Sequence, residues 1–305
     1  MTRYLAICSV VVFDSRKFSA FSRMAEDILI PDSLTQIQYD TIYNVFSLVI
    51  ASQLFTSVFL VICLARVLPR YRQAMTVAAI VCGIAAYHYF RIFNSFTEAF
   101  VTEAVGGRGD YVQVAGASFN EGYRYVDWLL TVPLLLLELV AVLALARKVQ
   151  TSLLTRLIPA AALMIALGYP GEMAADNLTR GIFGLLSSIP FAYILYVLFV
   201  ELTRSLERQP ASVRKTISLL RLLLLATWGV YPIAYLLPGI GIEGSDAWVG
   251  LQIGYSVADI LAKCLYGLVI YRIARMKSFA DDQSFADSEL SLEESTDLRS
   301  SAGRK

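Results

Sequence analysis

The sequence predicts an all-α membrane protein, a bundle of seven transmembrane helices, and three observations carry that expectation. Only 17% of the 305 residues are charged and 57% are hydrophobic, whereas a soluble domain carries about a quarter charged residues. The mean hydropathy is +0.59. Seven separate apolar runs each reach the roughly 20 residues that a helix needs to cross the hydrocarbon layer. They lie at about 41–66, 74–98, 123–146, 153–171, 181–203, 215–238 and 247–273.

The connections between these runs alternate in charge. Arg66, Arg70 and Arg72 follow the first run, and Arg147, Lys148 and Arg156 follow the third. Arg204, Arg208, Arg214 and Lys215 follow the fifth, and Arg272, Arg275 and Lys277 follow the seventh. The opposite connections are poor in Lys and Arg; they carry Glu103, Arg108 and Asp110, then Glu172, Asp176 and Arg180, then Glu243 and Asp246. Basic loops stay on the cytoplasmic side. The expected topology is therefore a multi-pass protein of the plasma membrane, N-terminus outside and C-terminus cytoplasmic.

Three regions follow from this: an extracellular N-terminal extension at 1–40, a seven-helix domain at 41–277 and a disordered cytoplasmic tail at 278–305. Tyr4–Phe13 behind Arg3 has the length of a signal-peptide core, though no small-x-small cleavage site follows. The tail is rich in Ser, Asp and Glu and poor in apolar residues. In the 102–122 connection, "YVQVAGASF" alternates around Gly116, which predicts a short hairpin there. Trp248, near a helix start, reads as an interfacial anchor.

Several chemistries are excluded. With 26 Lys+Arg against 25 Asp+Glu the net charge is +1, so no nucleic-acid surface is expected. Cys8, Cys63, Cys82 and Cys264 are scattered without a CxxC pair, and His88 is the one histidine. Neither a disulfide framework nor a metal site is expected, and no nucleophile-elbow motif accompanies His88.

Charges inside the apolar runs narrow the function. An ionisable side chain at mid-membrane costs a few kcal/mol on the most lenient scale, so each needs a partner or a role. The third run holds Arg124, Asp127 and Glu138 in "YRYVDWLLTVPLLLLELV"; the seventh holds Asp259 and Lys263 in "YSVADILAKCLYG". Asp127 and Glu138 share one helix face about 16 Å apart along the axis. Arg124 lies one turn outside Asp127, Thr131 one turn inside. Asp259 and Lys263 form an i, i+4 pair. Structural salt bridges could account for Lys263 with Asp259 and Arg124 with Asp127. Glu138 has no basic neighbour on its own helix, and a carboxylic acid alone in an apolar site stays protonated, as a proton donor must. The arrangement is a column of proton-exchanging groups across the bilayer.

Five stretches then identify a family: "YHYFRIFNS" (87–95), "YRYVDWLLTVP" (123–133), "SSIPFAYILY" (187–196), "TWGVYPIAYLLP" (227–238) and "ADILAKCLYG" (258–267). In this order and spacing the sequence resembles the microbial rhodopsins, within them the proteorhodopsin and xanthorhodopsin group of light-driven proton pumps, over roughly residues 40–277. The resemblance implies an ion transporter rather than an enzyme, with all-trans retinal bound inside the bundle and covalently attached to Lys263 as a protonated Schiff base. Asp127 matches the primary counterion and proton acceptor, and Asp259 the second counterion. Thr131 and Glu138 complete the family's Asp-Thr-Glu triplet, with Glu138 as cytoplasmic donor. Arg124 matches the arginine beneath the counterions, and His88 the histidine that hydrogen-bonds the acceptor.

Around the chromophore, Trp128 and Trp228 match the sandwiching tryptophans, and Tyr231, Pro232 and Tyr235 match pocket positions on the sixth helix, Tyr231 placed to bond Asp259. Leu135 matches the colour-determining position, where leucine implies green absorption. Gly184 matches the position that is glycine in members binding a hydroxylated carotenoid as antenna, which implies competence for that second pigment. Related pumps assemble in the bilayer as pentamers or trimers, so a homo-oligomer is expected. The competing readings are a retinal photosensor acting through a transducer, which has no need of Glu138, and an ion-translocating protein without a chromophore. The outward proton-release group is not identified by any matched motif; Glu243, Asp246 and Glu172 are candidates by sidedness.

Overall fold

The structure, a computed structural model, describes residues 30–102, 109–174, 176–207, 209–236 and 244–291. A short strand β1 (Ser33–Leu34) leads into α1 (Gln36–Ile62), which runs on through a 3-10 turn at Cys63–Arg66. α1 starts ahead of residue 41 because Thr35 and Gln38 cap it reciprocally: Gln38 N donates to Thr35 Oγ1 (3.3 Å) and Thr35 N to Gln38 Oε1 (2.9 Å). Pro69 opens α2 (Pro69–Ala99) in the first turn, where its missing N–H is harmless.

α3 (Gly122–Val142) stops short of residue 146 because Ala144 takes φ 47°, a left-handed turn that ends the helix. α4 (Arg147–Glu172) follows directly. Asp176 caps α5 (Asn177–Tyr196) by accepting from Thr179 N at 2.8 Å, and that bond holds the Asp176 carboxyl below its ordinary range. α5 continues through a π-helical turn at Val197–Glu201 into Leu202–Leu206. α6 (Ala211–Leu236) precedes α7, which spans Ser245–Asp259, a π-helical turn at Ile260–Leu265, and Tyr266–Asp281.

All seven helices are long and apolar enough to cross a bilayer, and the chain is a multi-pass membrane protein. Each helix of α1 to α5 packs on the next in sequence, and α7 closes the ring against α1, α2, α3 and α6. Leu48, Phe55, Leu185 and Ile233 point outward with large exposed apolar surfaces, whereas Arg124, Asp127, Glu138, Asp259 and Lys263 are buried in the ring. That distribution is the one a lipid solvent demands.

Three expectations are corrected. The strand pairing lies before Gly116 rather than around it. β2 (Phe100–Thr102) and β1 both pair antiparallel with β3 (Tyr111–Gln113), giving the order β1-β3-β2. Gly116 instead takes φ 80° in a tight turn closed by Ala117 N to Val114 O at 3.0 Å.

Trp248 is not an interfacial anchor. It is buried against Phe96, Phe100 and Phe119, with ring centroids 5.4–6.5 Å away. The sheet folds over that end of the bundle and supplies Phe100.

The stretch 278–291 is ordered. α7 runs to Asp281 and residues 283–291 form a further helical segment. Ion pairs hold it: Glu289 Oε2 is 3.0 Å from both Arg66 Nε and Arg275 Nη1, and Asp281 meets Arg70 (3.0 Å) and the Tyr71 hydroxyl. The polar composition that signalled a solvated tail supplies these latches. The signal-like run 4–13, Cys8, Glu103, Arg108, Arg208, Glu243 and the final residues 292–305 lie outside the described residues.

Candidate functional site

The site is built on α7. At Ile260–Leu265 the helix widens by one residue per turn, and Lys263 sits within that π-helical turn, 2% exposed. Such single widened turns mark functional sites in helices. Gln53 of α1 donates to the Asp259 carbonyl at the same place (3.1 Å).

Lys263 Nζ donates to Asp259 Oδ1 (2.8 Å) and to Asp127 Oδ2 of α3 (2.6 Å). One buried cation is thus shared by two buried carboxylates, a group with a net negative charge. Asp259 receives further donors: Tyr231 Oη to Oδ1 (2.6 Å), Tyr89 Oη to Oδ2 (2.7 Å) and a longer contact from Trp128 Nε1 (3.4 Å). This surplus of donors stabilises Asp259 as a fixed anion. Asp127 has fewer: its Oδ1 is buried without a hydrogen-bond partner. The two carboxylates are therefore unequally supported by hydrogen-bond donors.

Asp127 is flanked as the sequence implied, with two differences. His88 lies beside it, Nδ1 to Oδ1 3.8 Å, too far for a hydrogen bond; Nδ1 instead meets the Ile84 carbonyl at 2.9 Å. The backbone one turn earlier on α2 captures the ring nitrogen. Nor does Arg124 pair with Asp127: its Nε reaches Glu121 (3.3 Å) and its Nη2 bonds Gln252 of α7, which donates to Glu121 at 2.6 Å. The guanidinium also sits over the rings of Phe46, Tyr89 and Tyr255 at 5.3–5.7 Å. Thr131 Oγ1 bonds back to the Asp127 carbonyl (2.8 Å).

Glu138 lies further along α3, fully buried, and neither carboxyl oxygen has a hydrogen-bond partner. Nothing there would stabilise a charged carboxylate. Glu172, at the other end, has an ion pair of 4.0 Å with Arg180. Asp246 accepts from Gln38 (2.6 Å), tying the starts of α1 and α7.

A cavity of about 330 Å³ opens from Lys263 between α3, α4, α5, α6 and α7. Its size and mostly apolar lining suit a small cofactor. Trp128, Leu135, Trp228, Tyr231 and Pro232 line it, and Gly184 forms part of its α5 wall. Trp128 packs edge-on against Tyr231 (centroids 4.7 Å) and Tyr255 (5.6 Å). The Tyr235 side chain lies outside the described residues. A long apolar ligand with an electrophilic end would fit: the cavity offers aromatic walls, and the amine lies at its end beside two carboxylates.

Sequence reasoning missed Tyr89, Glu121, Gln252 and Tyr255. Gln252 carried a usable signal, since it stands two turns before Asp259 on the same face of α7.

Residues 40–276 match the model of the bacteriorhodopsin-like protein family. The crystallographic structure of xanthorhodopsin, described as a light-driven ion pump with dual chromophore, superposes with a TM-score of 0.78 at 45% identity. The match covers 83% of this chain and 99% of that one. A thermophilic rhodopsin structure gives 0.78 at 43%, with the same coverage. The green-light absorbing proteorhodopsin of Gamma-proteobacterium EBAC31A08 is 29% identical over 234 residues, 76% of this chain and 86% of that protein. With these matches, the shared cation on α7 and the aromatic cavity together, the chain belongs to the bacteriorhodopsin-like family, as a microbial rhodopsin of the xanthorhodopsin and proteorhodopsin type.

Proposed function

We propose that this protein is a light-driven outward proton pump that carries all-trans retinal on Lys263. The observation that carries the reading is the pairing of an acceptor and a donor on one helix face: Asp127 at 2.6 Å from Lys263 Nζ, and Glu138 buried without a partner further along α3. Retinal bound there supplies a protonated Schiff base whose proton becomes transferable on light-driven isomerisation. Asp127 accepts that proton at its carboxylate. Asp259 stays anionic because Tyr231 and Tyr89 donate to it, which preserves a counter-charge when Asp127 is neutralised. Arg124 stands between Asp127 and the start of α3 at Gly122, held by Glu121 and Gln252, and its positive charge offsets that of the buried carboxylates in the resting state. Glu138 supplies the replacement from the other side.

Direction follows from sidedness. The basic connections after α1, α3, α5 and α7 support a cytoplasmic location for the Glu138 end, in the plasma membrane. Leu135 in the cavity wall supports green absorption. Gly184 and Gly181 in the α5 wall support access for a hydroxylated carotenoid to the chromophore cavity; a Cβ at Gly181 would meet nothing within 4 Å.

The test is illumination of an unbuffered suspension of cells expressing the protein with retinal. Acidification of the medium, collapsed by a protonophore, is expected. Alkalinisation, or no pH change from a coloured protein, would overturn the pump reading; the second result is the one a photosensor gives.

A further inference from the structure

A second cavity of about 470 Å³ lies between α6 and α7 near the end that carries the basic connections, away from the retinal-type cavity. Lys215 on α6 and Arg272 on α7 line it toward the ends of the two helices, with Ser212 and Met276 beyond them, and Leu219, Leu223 and Val269 line it further into the span. On α6 these positions follow a helical stripe, and Lys215 to Leu223 spans about 12 Å of axis.

The charges have no internal use. No carboxylate lines the cavity, and among the described residues neither Lys215 nor Arg272 enters a hydrogen bond or ion pair. Both are exposed, and Leu219 beneath them is 58% exposed, so the groove opens sideways. At the end of a membrane span that side faces the boundary between headgroups and acyl chains. Long basic side chains at this depth lay their stems on apolar surface and hold their charge at headgroup level. Basic pockets between transmembrane helices take anionic lipid headgroups.

We propose that this groove is a binding site for an anionic phospholipid, the phosphate held by Lys215 and Arg272 and one acyl chain lying along Leu219 and Leu223. The inference rests on the membrane-spanning fold and does not depend on pumping. A soluble phosphate compound would use the two cations but leave the leucine wall uncovered, and a zwitterionic lipid would use the wall but cancel the charge complementarity.

The test is native mass spectrometry of the full-length, retinal-reconstituted protein titrated with phosphatidylglycerol or phosphatidylcholine. The variants are Lys215→Gln with Arg272→Gln, and separately Leu219→Trp, which fills the groove without altering charge. Retention of the visible band shows that each variant is folded. Wild type is expected to retain phosphatidylglycerol in preference to phosphatidylcholine. The double variant should bind it about thirtyfold more weakly, roughly fivefold for each basic group near an anionic surface. Leu219→Trp should lower binding as well. Equal retention of both lipids by wild type, or undiminished phosphatidylglycerol binding in the folded double variant, would overturn the proposal.

Discussion

Glu138 offers the sharpest separation of function from architecture. It is fully buried and both of its oxygens lack a hydrogen-bond donor. A buried polar group left in that state costs about 1–3 kcal/mol. Glu138→Leu removes the orphaned group at similar volume, so the fold should gain about 1–3 kcal/mol. Glu138→Gln keeps the shape and leaves an orphaned amide, so its stability should stay within about 1 kcal/mol of wild type. Both variants lose the transferable proton. Removing a positioned proton donor typically slows the step by about 10²–10⁴-fold, so recovery of visible absorption after a flash should slow by that factor in each, with the resting colour nearly unchanged. Reversible unfolding in mixed micelles reads the first effect and flash photolysis the second. If Glu138→Gln recovered as fast as wild type, or if Glu138→Leu were strongly destabilised, Glu138 would be a structural residue and the donor assignment would fall.

Four further outcomes are expected. Lys263→Ala should give colourless protein with retinal and lose about 3–5 kcal/mol in the apoprotein, because Asp127 and Asp259 are left facing each other without their cation; a normal visible band would exclude Lys263 as the attachment site. Asp127→Asn should keep a chromophore shifted to the red and abolish light-driven pH change, and continued outward pumping would sink the acceptor assignment. Trp248→Ala should cost about 3–5 kcal/mol through the cavity left among Phe96, Phe100 and Phe119, measured as a lowered unfolding midpoint with unaltered colour. Gly184→Trp should remove carotenoid-sensitised pumping from the action spectrum while preserving pumping by direct excitation of retinal; no blue-region band in wild type with any of several hydroxylated carotenoids would leave Gly184 a packing residue.

The seven spans and the buried charges were legible because lipid makes charge conspicuous: Asp127, Glu138, Asp259 and Lys263 stand out in runs where each is costly. Their neutral partners were not. Tyr89 looks like any other aromatic residue in an apolar run, although its hydroxyl bonds Asp259. Glu121 sits at the helix start, where a carboxylate is unremarkable, so its link to Arg124 through Gln252 had to wait for the packing of α3 on α7. The sheet was legible only as a hairpin in the 102–122 connection, and its register and third strand were not: strands of two or three residues carry no periodicity, and Ser33 pairs with Val112, far along the chain. Composition misled at the C-terminal end, where the acidity of 278–291 supplies Glu289 to Arg66 and Arg275. The start of α1 shifted because the Thr35 cap extends that helix into polar sequence.

The ring closed by α7 also has a schedule. Asp127 meets Lys263 across 136 residues of chain. A ribosome making about 5–20 residues per second needs roughly 7–27 s to cover that distance. Throughout that interval α3 must wait in the translocon or the bilayer with a carboxylate whose cation has not yet been made. The nascent chain therefore passes through a six-helix stage in which Asp127 lacks the cation it meets in the finished bundle. Synonymous changes that slow translation between α3 and α7 would lengthen the exposure without altering a single residue of the finished protein.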